Sequence, residues 1–485
     1  MNEVIWRFPH LFESIFGRID SESLVKCRVV GKLWCNHLDA QKFLKVRMIK
    51  ATVKQFHEIS NAWTRVFKTA TTQTILDLGE AVQNFYQRSS VLKYQNGIAP
   101  LHVAAATGNL WLFREIYAKA LDKYPRDNEG WTILHFPAQN GHLHVYEYIS
   151  NKCYDQNPRD NTGWTPLHSA AAKGHLDICE NIMSKIQNQV PYDDEGRTPI
   201  HLAANKGNLR VCHFFMIVIQ DITQREKNGY TPIHFAAKEG HLFACAYILD
   251  KVVVKNPQDM FGLTPLHLAA RYGHLQIFHY MCQYLTDKNE DIYPMTVAGH
   301  TPFHFAAKQG QLRICQYILD TDAKDPNPTS PGGKTALHMA AMNGHVLICK
   351  TIMQKLEDKN PQDHNGWTPL HEAAQSGHIK VCKLIMENVK ETKPKNVDGV
   401  IPFHLASFYG HIEVVRYIAE NSIDKNPKGT FSCTALHLAA RCGHLDICKY
   451  LVDITGGIIP YDDEGLTPLD YARLSNATDI IEFLS

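Results

Sequence analysis

Imidazole and thiol are the side chains best suited to hold a metal, relay a proton or act as a nucleophile, and this chain carries 27 histidines and 13 cysteines in 485 residues. Their spacing decides what they can do. Eleven histidines close the tetrapeptide TPLH or a near variant, at 102, 135, 168, 201, 234, 267, 304, 338, 371, 404 and 437, with intervals of 33 residues broken by one of 37 and one of 34. Eight more stand in a second recurring dipeptide, GH, at His142, His175, His241, His274, His345, His378, His411 and His444. A metal centre or catalytic pair needs unlike groups converging on one point. One histidine per period sets like groups in parallel rows instead, so these nineteen rings are expected to hydrogen-bond turns and neighbouring units.

Seven cysteines (Cys179, Cys212, Cys245, Cys315, Cys349, Cys382 and Cys448) stand fourteen residues after the Thr position of their unit, where other units carry Phe113, Tyr146, Phe278 or Val415. A place that accepts Phe or Val is an apolar niche, not a metal ligand or half of a disulfide. SPGGKTALH ends like a phosphate-binding loop, but Pro328 stands where the first Gly is required. His142 and His144 resemble a metal pair without further ligands nearby. No HExxH, paired CxxC or nucleophile elbow occurs. No catalytic residue, metal ligand or cofactor is expected, and the chain reads as not an enzyme.

Composition narrows the class. The chain is too long for one ordinary core, so it must be several domains or an extended array. Its formal charge of +1 is far from the basic signature of a nucleic-acid binder. No apolar run reaches the roughly 18 residues of a membrane helix, and the start shows no secretory signal pattern. Protein partners in a reducing compartment, cytoplasmic or also nuclear, are expected, with no nucleic acid, no membrane, and a monomer outside any larger complex.

One unit, Thr368 to Val400, shows the physics of the repeat. Thr368 is placed to cap a short helix that begins at Pro369, whose missing N–H is not needed in a first turn. Ala373 and Ala374 allow close helix approach, and Gly377 ends the helix. Ile379, Val381, Leu384 and Ile385 then recur at helical spacing. One unit cannot bury that face alone, so neighbours must stack. The period and the T-P-L-H-x-A signature resemble ankyrin repeats over residues 96–485, with a truncated twelfth copy carrying Asp470 in place of His. The units depart from the usual pattern where an apolar residue (Ile186, Leu356, Val389) replaces the Gly that ends the second helix.

The stretch Phe8 to Leu38 repeats nowhere. Leu11, Phe12, Ile15, Phe16 and Ile19 make a helical apolar stripe behind Pro9, Asp20 and Ser21 can cap a second helix, and a third presents Trp34 and Leu38. Three short helices make little core, so their apolar residues call for a partner. Phe8-Pro9, Ile15-Phe16-Gly17-Arg18-Ile19 and LVKCRVVGKLW from Leu24 to Trp34 resemble an F-box, departing at Phe8, Ile19 and Gly31. The resemblance implies docking on a Skp-type adaptor and through it a cullin, with Pro9, Leu11, Ile15, Phe16, Leu24, Val30 and Trp34 as the adaptor-binding or supporting residues.

The expected fold is therefore all-α: a three-helix F-box (1–45), a helical linker or cap (46–95) and an α-solenoid of about 12 ankyrin repeats (96–485). The expected function is a non-catalytic substrate-recognition subunit of a Skp-cullin-F-box ubiquitin ligase. The alternatives are an ankyrin scaffold without a ligase role, or a pathogen or symbiont effector acting on the host ligase in the host cytosol. For the protein substrate, ankyrin arrays use their fingers and first helices. That points to Trp131, Trp164, Tyr230, His300, Lys334 and Trp367 just before the repeat Thr, and to Arg271 in a row with Lys173, Lys206, Lys238 and Lys308. A cation in a helix's last turn is also favoured by the helix dipole alone. Asn289–His300 and Asp322–Lys334 are expected as irregular specificity loops.

Overall fold

The computed structural model describes residues 97–186, 190–219, 223–321 and 327–485. The expected F-box, with Pro9, Leu11, Ile15, Phe16, Leu24, Val30 and Trp34, and the linker 46–95 lie outside the described residues, as does the start of the loop at 322–334. The chain divides into two compact units, Met1–Lys227 and Asn228–Ser485. Among the described residues the first holds four helix pairs and the second eight. Within each unit first helix packs on first helix and second on second. The only extended pairing among the described residues is three isolated bridges, such as Arg126 with Thr132, at the bases of fingers.

Local chemistry explains each pair. In the unit starting at Thr368, the helix Pro369–Gln375 is capped reciprocally. The backbone N–H of Thr368 donates to His371 Nδ1 at 3.1 Å, and that of His371 donates to Thr368 Oγ1 at 3.4 Å. Thr is thus half of the cap; the histidine, three residues on, is the shorter half. Gly377 (φ +76°) turns the chain into the helix Ile379–Asn388. The buried face of that helix is Val381, Cys382, Ile385 and Met386. Ile379 and Leu384, expected in the core, sit at its margins, half-buried.

At the ends of three second helices a lysine takes the place of the glycine. In the DKxP or VKNP segments that follow, Lys123 donates to Tyr117 O and Ala118 O, Lys255 to Leu249 O at 3.0 Å and Asp250 O at 3.3 Å, and Lys425 to Ala419 O. An ammonium over the last carbonyls satisfies groups that a Gly-centred turn would otherwise bond and suits the helix dipole. The neighbouring Asn reaches forward: Asn157 Oδ1 accepts from Leu167 N at 3.0 Å and Asn360 Oδ1 from Leu370 N at 3.1 Å, each an otherwise unpaired N–H in the next first turn. Asn360→Ala is expected to lower stability by about 1 kcal/mol, read from urea unfolding; an unchanged midpoint would show that water replaces the amide without loss.

Three of the four extra residues of the 37-residue interval lengthen a helix rather than a loop. The helix Leu275–Asp287 runs for 13 residues where its counterparts mostly run for ten, because Met281, Cys282 and Leu285 continue the buried stripe. It ends on Asn289 (φ +56°), with Glu290 N–H bonded to Leu285 O at 2.9 Å.

The second helices are tied by cations over rings. Arg114 lies 4.8 Å from the centroid of Tyr148, Lys383 5.0 Å from Tyr417, and Arg416 4.9 Å from Tyr450. Each cation belongs to one repeat and each ring to the next, a recurring tie that the sequence reading did not find.

Candidate functional site

The repeat histidines use both ring nitrogens. In ten of the eleven Nδ1 accepts from the N–H three residues back, a Thr except for Ala99 before His102, so the ring proton is on Nε2, which donates to a carbonyl of the finger segment that leads into the next unit. His168 reaches Arg197 O at 3.0 Å, His267 reaches His300 O at 3.0 Å, His304 reaches Lys334 O at 3.1 Å and His338 reaches Trp367 O at 3.0 Å. In these four the acceptor is the residue just before the next Thr, a position proposed from sequence as a partner anchor or its equivalent, whereas His102, His201 and His404 reach the carbonyls of Pro125, Gln224 and Pro427 further back in the finger segment. Burial, partly offset by these backbone hydrogen bonds, lowers the pKa of His135, His168, His267, His304, His338 and His371 to about 4. Neutral, doubly engaged rings serve neither as metal ligands nor as proton shuttles. In the last copy Asp470 caps Thr467 N at 2.9 Å. With no following repeat, the second nitrogen has no task and an acceptor-only side chain suffices.

All eight GH histidines stand just before the second helix without a side-chain bond to its first turn, and the rings of seven reach backwards; His411 Nε2, for example, donates to Gln375 O at 2.8 Å. The cysteine niche is buried in every case, and burial raises the thiols of Cys212, Cys245, Cys315, Cys349, Cys382 and Cys448 to about 12. Such thiols stay protonated and inert. Among the described residues no group of three His, Cys, Asp or Glu side chains is placed to hold a metal ion. None of their helices is long and apolar enough to cross a membrane.

The carboxylates of the fingers are likewise structural, a role the sequence reading missed. Asp160 Oδ1 accepts from Thr162 N and Trp164 N, both at 2.8 Å, and Asp363 Oδ1 from Asn365 N at 2.9 Å and Trp367 N at 2.8 Å. The recurring D-x-x-G before the TPLH motif was the available signal: Asp closes the turn through its side chain while Gly supplies the positive φ.

The proposed anchors are half-buried, and the five that carry rings rest on their own repeat's histidine. Trp131 lies 5.4 Å from the ring of His135, Trp164 5.6 Å from His168, Tyr230 5.0 Å from His234, His300 5.5 Å from His304 and Trp367 5.7 Å from His371. Trp131 Nε1 donates to Asp160 at 3.0 Å and Trp164 Nε1 to Ser169 Oγ at 2.8 Å, so these rings are held in place before any partner arrives. Lys334, at the false phosphate-loop motif, pairs instead with buried Glu372 at 2.7 Å, one repeat on. That pair places finger bases and first helices on one face. His300 shares it: burial first, then the charges of Lys308 and Lys334, lower its pKa.

The expected basic row is not one row. Lys173 and Lys206 stand five residues after their histidines, Lys238, Arg271 and Lys308 four. Lys238 and Arg271 flank Tyr272, at 5.9 and 5.7 Å from its ring.

Paired helices, reciprocal Thr–His caps and D-x-x-G fingers agree with the family comparison: a family model described as ankyrin repeats in three copies matches residues 75–160, 145–225, 200–292, 280–363, 348–429 and 403–485. The chain belongs to the ankyrin-repeat family. Its ankyrin repeats form an all-helical array among the described residues, of a kind that serves as a protein-interaction scaffold. No curated protein matches the chain. The first family match begins at residue 75, inside the segment expected as linker or cap.

Proposed function

We propose that this ankyrin protein is the non-catalytic substrate-recognition subunit of a Skp-cullin-F-box ubiquitin ligase, working in the cytosol where such ligases act. The observation that carries the reading is Phe8 to Leu38, which stands apart from the repeat and resembles an F-box in order and spacing. The array supplies the other half: half-exposed Trp131, Trp164, Tyr230, His300, Lys334 and Trp367, pre-positioned by the histidine beneath each or by the preceding repeat. A receptor needs no chemistry of its own, only simultaneous grip on adaptor and substrate, which raises the effective concentration of substrate near the ubiquitin donor.

The intact chain is expected to retain a Skp-type adaptor in a pull-down. Pro9→Ala, Ile15→Ala and Trp34→Ala together should weaken that binding at least about tenfold, as removal of clustered interface anchors does. Failure of the intact, folded protein to bind adaptor removes the receptor reading. The family match reaching back to residue 75 favours a second reading, in which the preceding helices cap an ankyrin scaffold with no ligase role. The same experiment separates the two.

A further inference from the structure

One finger of the second unit closes differently from its neighbours. In the fingers before and after it an acceptor side chain heads the turn: Asn396 Oδ1 takes Asp398 N at 3.0 Å and Val400 N at 2.7 Å, and Asp462 Oδ1 takes Glu464 N at 2.9 Å and Leu466 N at 2.8 Å. Each of those turns needs one left-handed residue, Gly399 (φ +72°) or Gly465 (φ +79°). The finger Gly429–Cys433 has glycine at the head and Ser432 where the left-handed glycine should stand, so no side chain accepts the two N–H groups. Its turn is displaced by one residue: Cys433 N–H donates to Thr430 O at 3.1 Å, with Phe431 (φ +54°) and Ser432 (φ +55°) both left-handed. That is the hand of a type I′ turn, which Asn-Gly suits and Phe-Ser does not.

The displaced turn also costs the array a bond. Fingertip N–H groups regularly donate to the fingertip before them, as Val397 does to Asn365 O and Asp463 to Phe431 O, both at 3.0 Å. Thr430 holds the same place as Val397 but makes no such bond to Asp398 O, and its hydroxyl oxygen is buried without a partner among the described residues. The ordinary turn would relieve Phe431 and restore that rung. It would also leave Phe431 N and Cys433 N without the acceptor that Asn396 and Asp462 supply next door. A left-handed residue other than glycine and an unmade backbone bond are penalties of similar size, so neither turn wins by much.

We infer that the finger Gly429–Cys433 is a two-state element of the array, exchanging between the type I′ turn and the turn of its neighbours, and that each exchange breaks or makes the rung from Thr430 N–H to Asp398 O. The type I′ state holds Phe431 at the tip, 75% exposed. It also requires glycine at the head of the turn, because a Cβ on residue 429 would lie 2.5 Å from His404 Cε1. The two states present different tips, so a partner that touches this finger selects between them. The inference concerns the array itself and goes beyond the receptor reading, holding whether or not the chain joins a ligase.

Hydrogen exchange of the full chain, resolved to single amides, reads the rung directly. Phe431→Asn/Ser432→Gly supplies the dipeptide that a type I′ turn favours and should lock that state. Gly429→Asp/Ser432→Gly supplies the missing acceptor, excludes the type I′ state through the contact with His404 and should lock the ordinary turn. The Thr430 amide of the unaltered chain is expected to fall between the two. It should be protected at least about threefold more than in the first variant and at least about threefold less than in the second, where it should match Val397. Protection in the unaltered chain equal to that of either variant overturns the proposal, since the finger then keeps a single turn. Equal protection in the two variants overturns it as well, since the rung then does not depend on the turn. Should the Asp variant fail to fold, Gly429→Asn/Ser432→Gly, which copies the acceptor of the preceding finger, takes its place with the same expected result.

Discussion

Acidification from pH 7.5 to 5.5 is expected to remove most of the stability of the ankyrin array. Six buried histidines have pKa values of about 4 in the fold, chiefly because burial disfavours the charged ring, against an ordinary value of 6.5. Between those limits the unfolded chain binds protons that the folded chain does not, so stability is complete above pH 6.5 and falls as pH drops towards 4. At pH 5.5 each ring costs on the order of 1.4 kcal/mol. Four of the six lie in the second unit, Asn228–Ser485, and two in the first. The second unit should therefore lose about 6 kcal/mol and the first about 3 kcal/mol. His102, His404 and His437 are lowered for the same first reason and add to the trend. Circular dichroism melts should show the midpoint falling by roughly 10 °C or more between the two pH values. Equal midpoints would mean that the rings are accessible to protons in the folded state.

The second large effect separates a glycine needed for its own conformation from one needed by its neighbour. Gly377 and Gly443 hold the same place in their repeats, at φ +76° and +81°. Alanine at either position should cost about 1 kcal/mol for the left-handed backbone. At Gly443 a Cβ meets nothing within 4 Å, so the cost stops there. At Gly377 it would lie 2.5 Å from His411 Nδ1, and displacing that ring also breaks its bond to Gln375 O. Gly377→Ala is expected to cost about 3 kcal/mol in all. Urea denaturation of the two variants gives the difference directly; equal losses would show that His411 moves aside freely.

The period, the helix pairs, the structural histidines and the cysteine niche could all be read from the residues. Each is either local, like the Thr-Pro start of a helix, or repeated so often that coincidence is excluded. The finger carboxylates and the lysine caps recur as well, but their spacing does not say which backbone groups each side chain bonds, because that depends on how the turn and the helix end close. The F-box resemblance belongs to this reading alone, since residues 1–45 lie outside the described residues.

Stacking decided the rest. Gly377 with His411, Lys334 with Glu372 and Arg416 with Tyr450 are 34 to 38 residues apart, and nothing within one unit says which side chains of the next will face them. The extra residues before His304 could have been loop or helix until Leu285 found a buried place. Exposure too is a tertiary property. Met260, Phe261 and Val297 read as ordinary apolar residues in a chain full of them, and only the packing of successive fingers left them side by side in water. Residue types recurring along the chain determined the repeat; the register in which neighbouring repeats stack determined which of those residues are free to meet a partner.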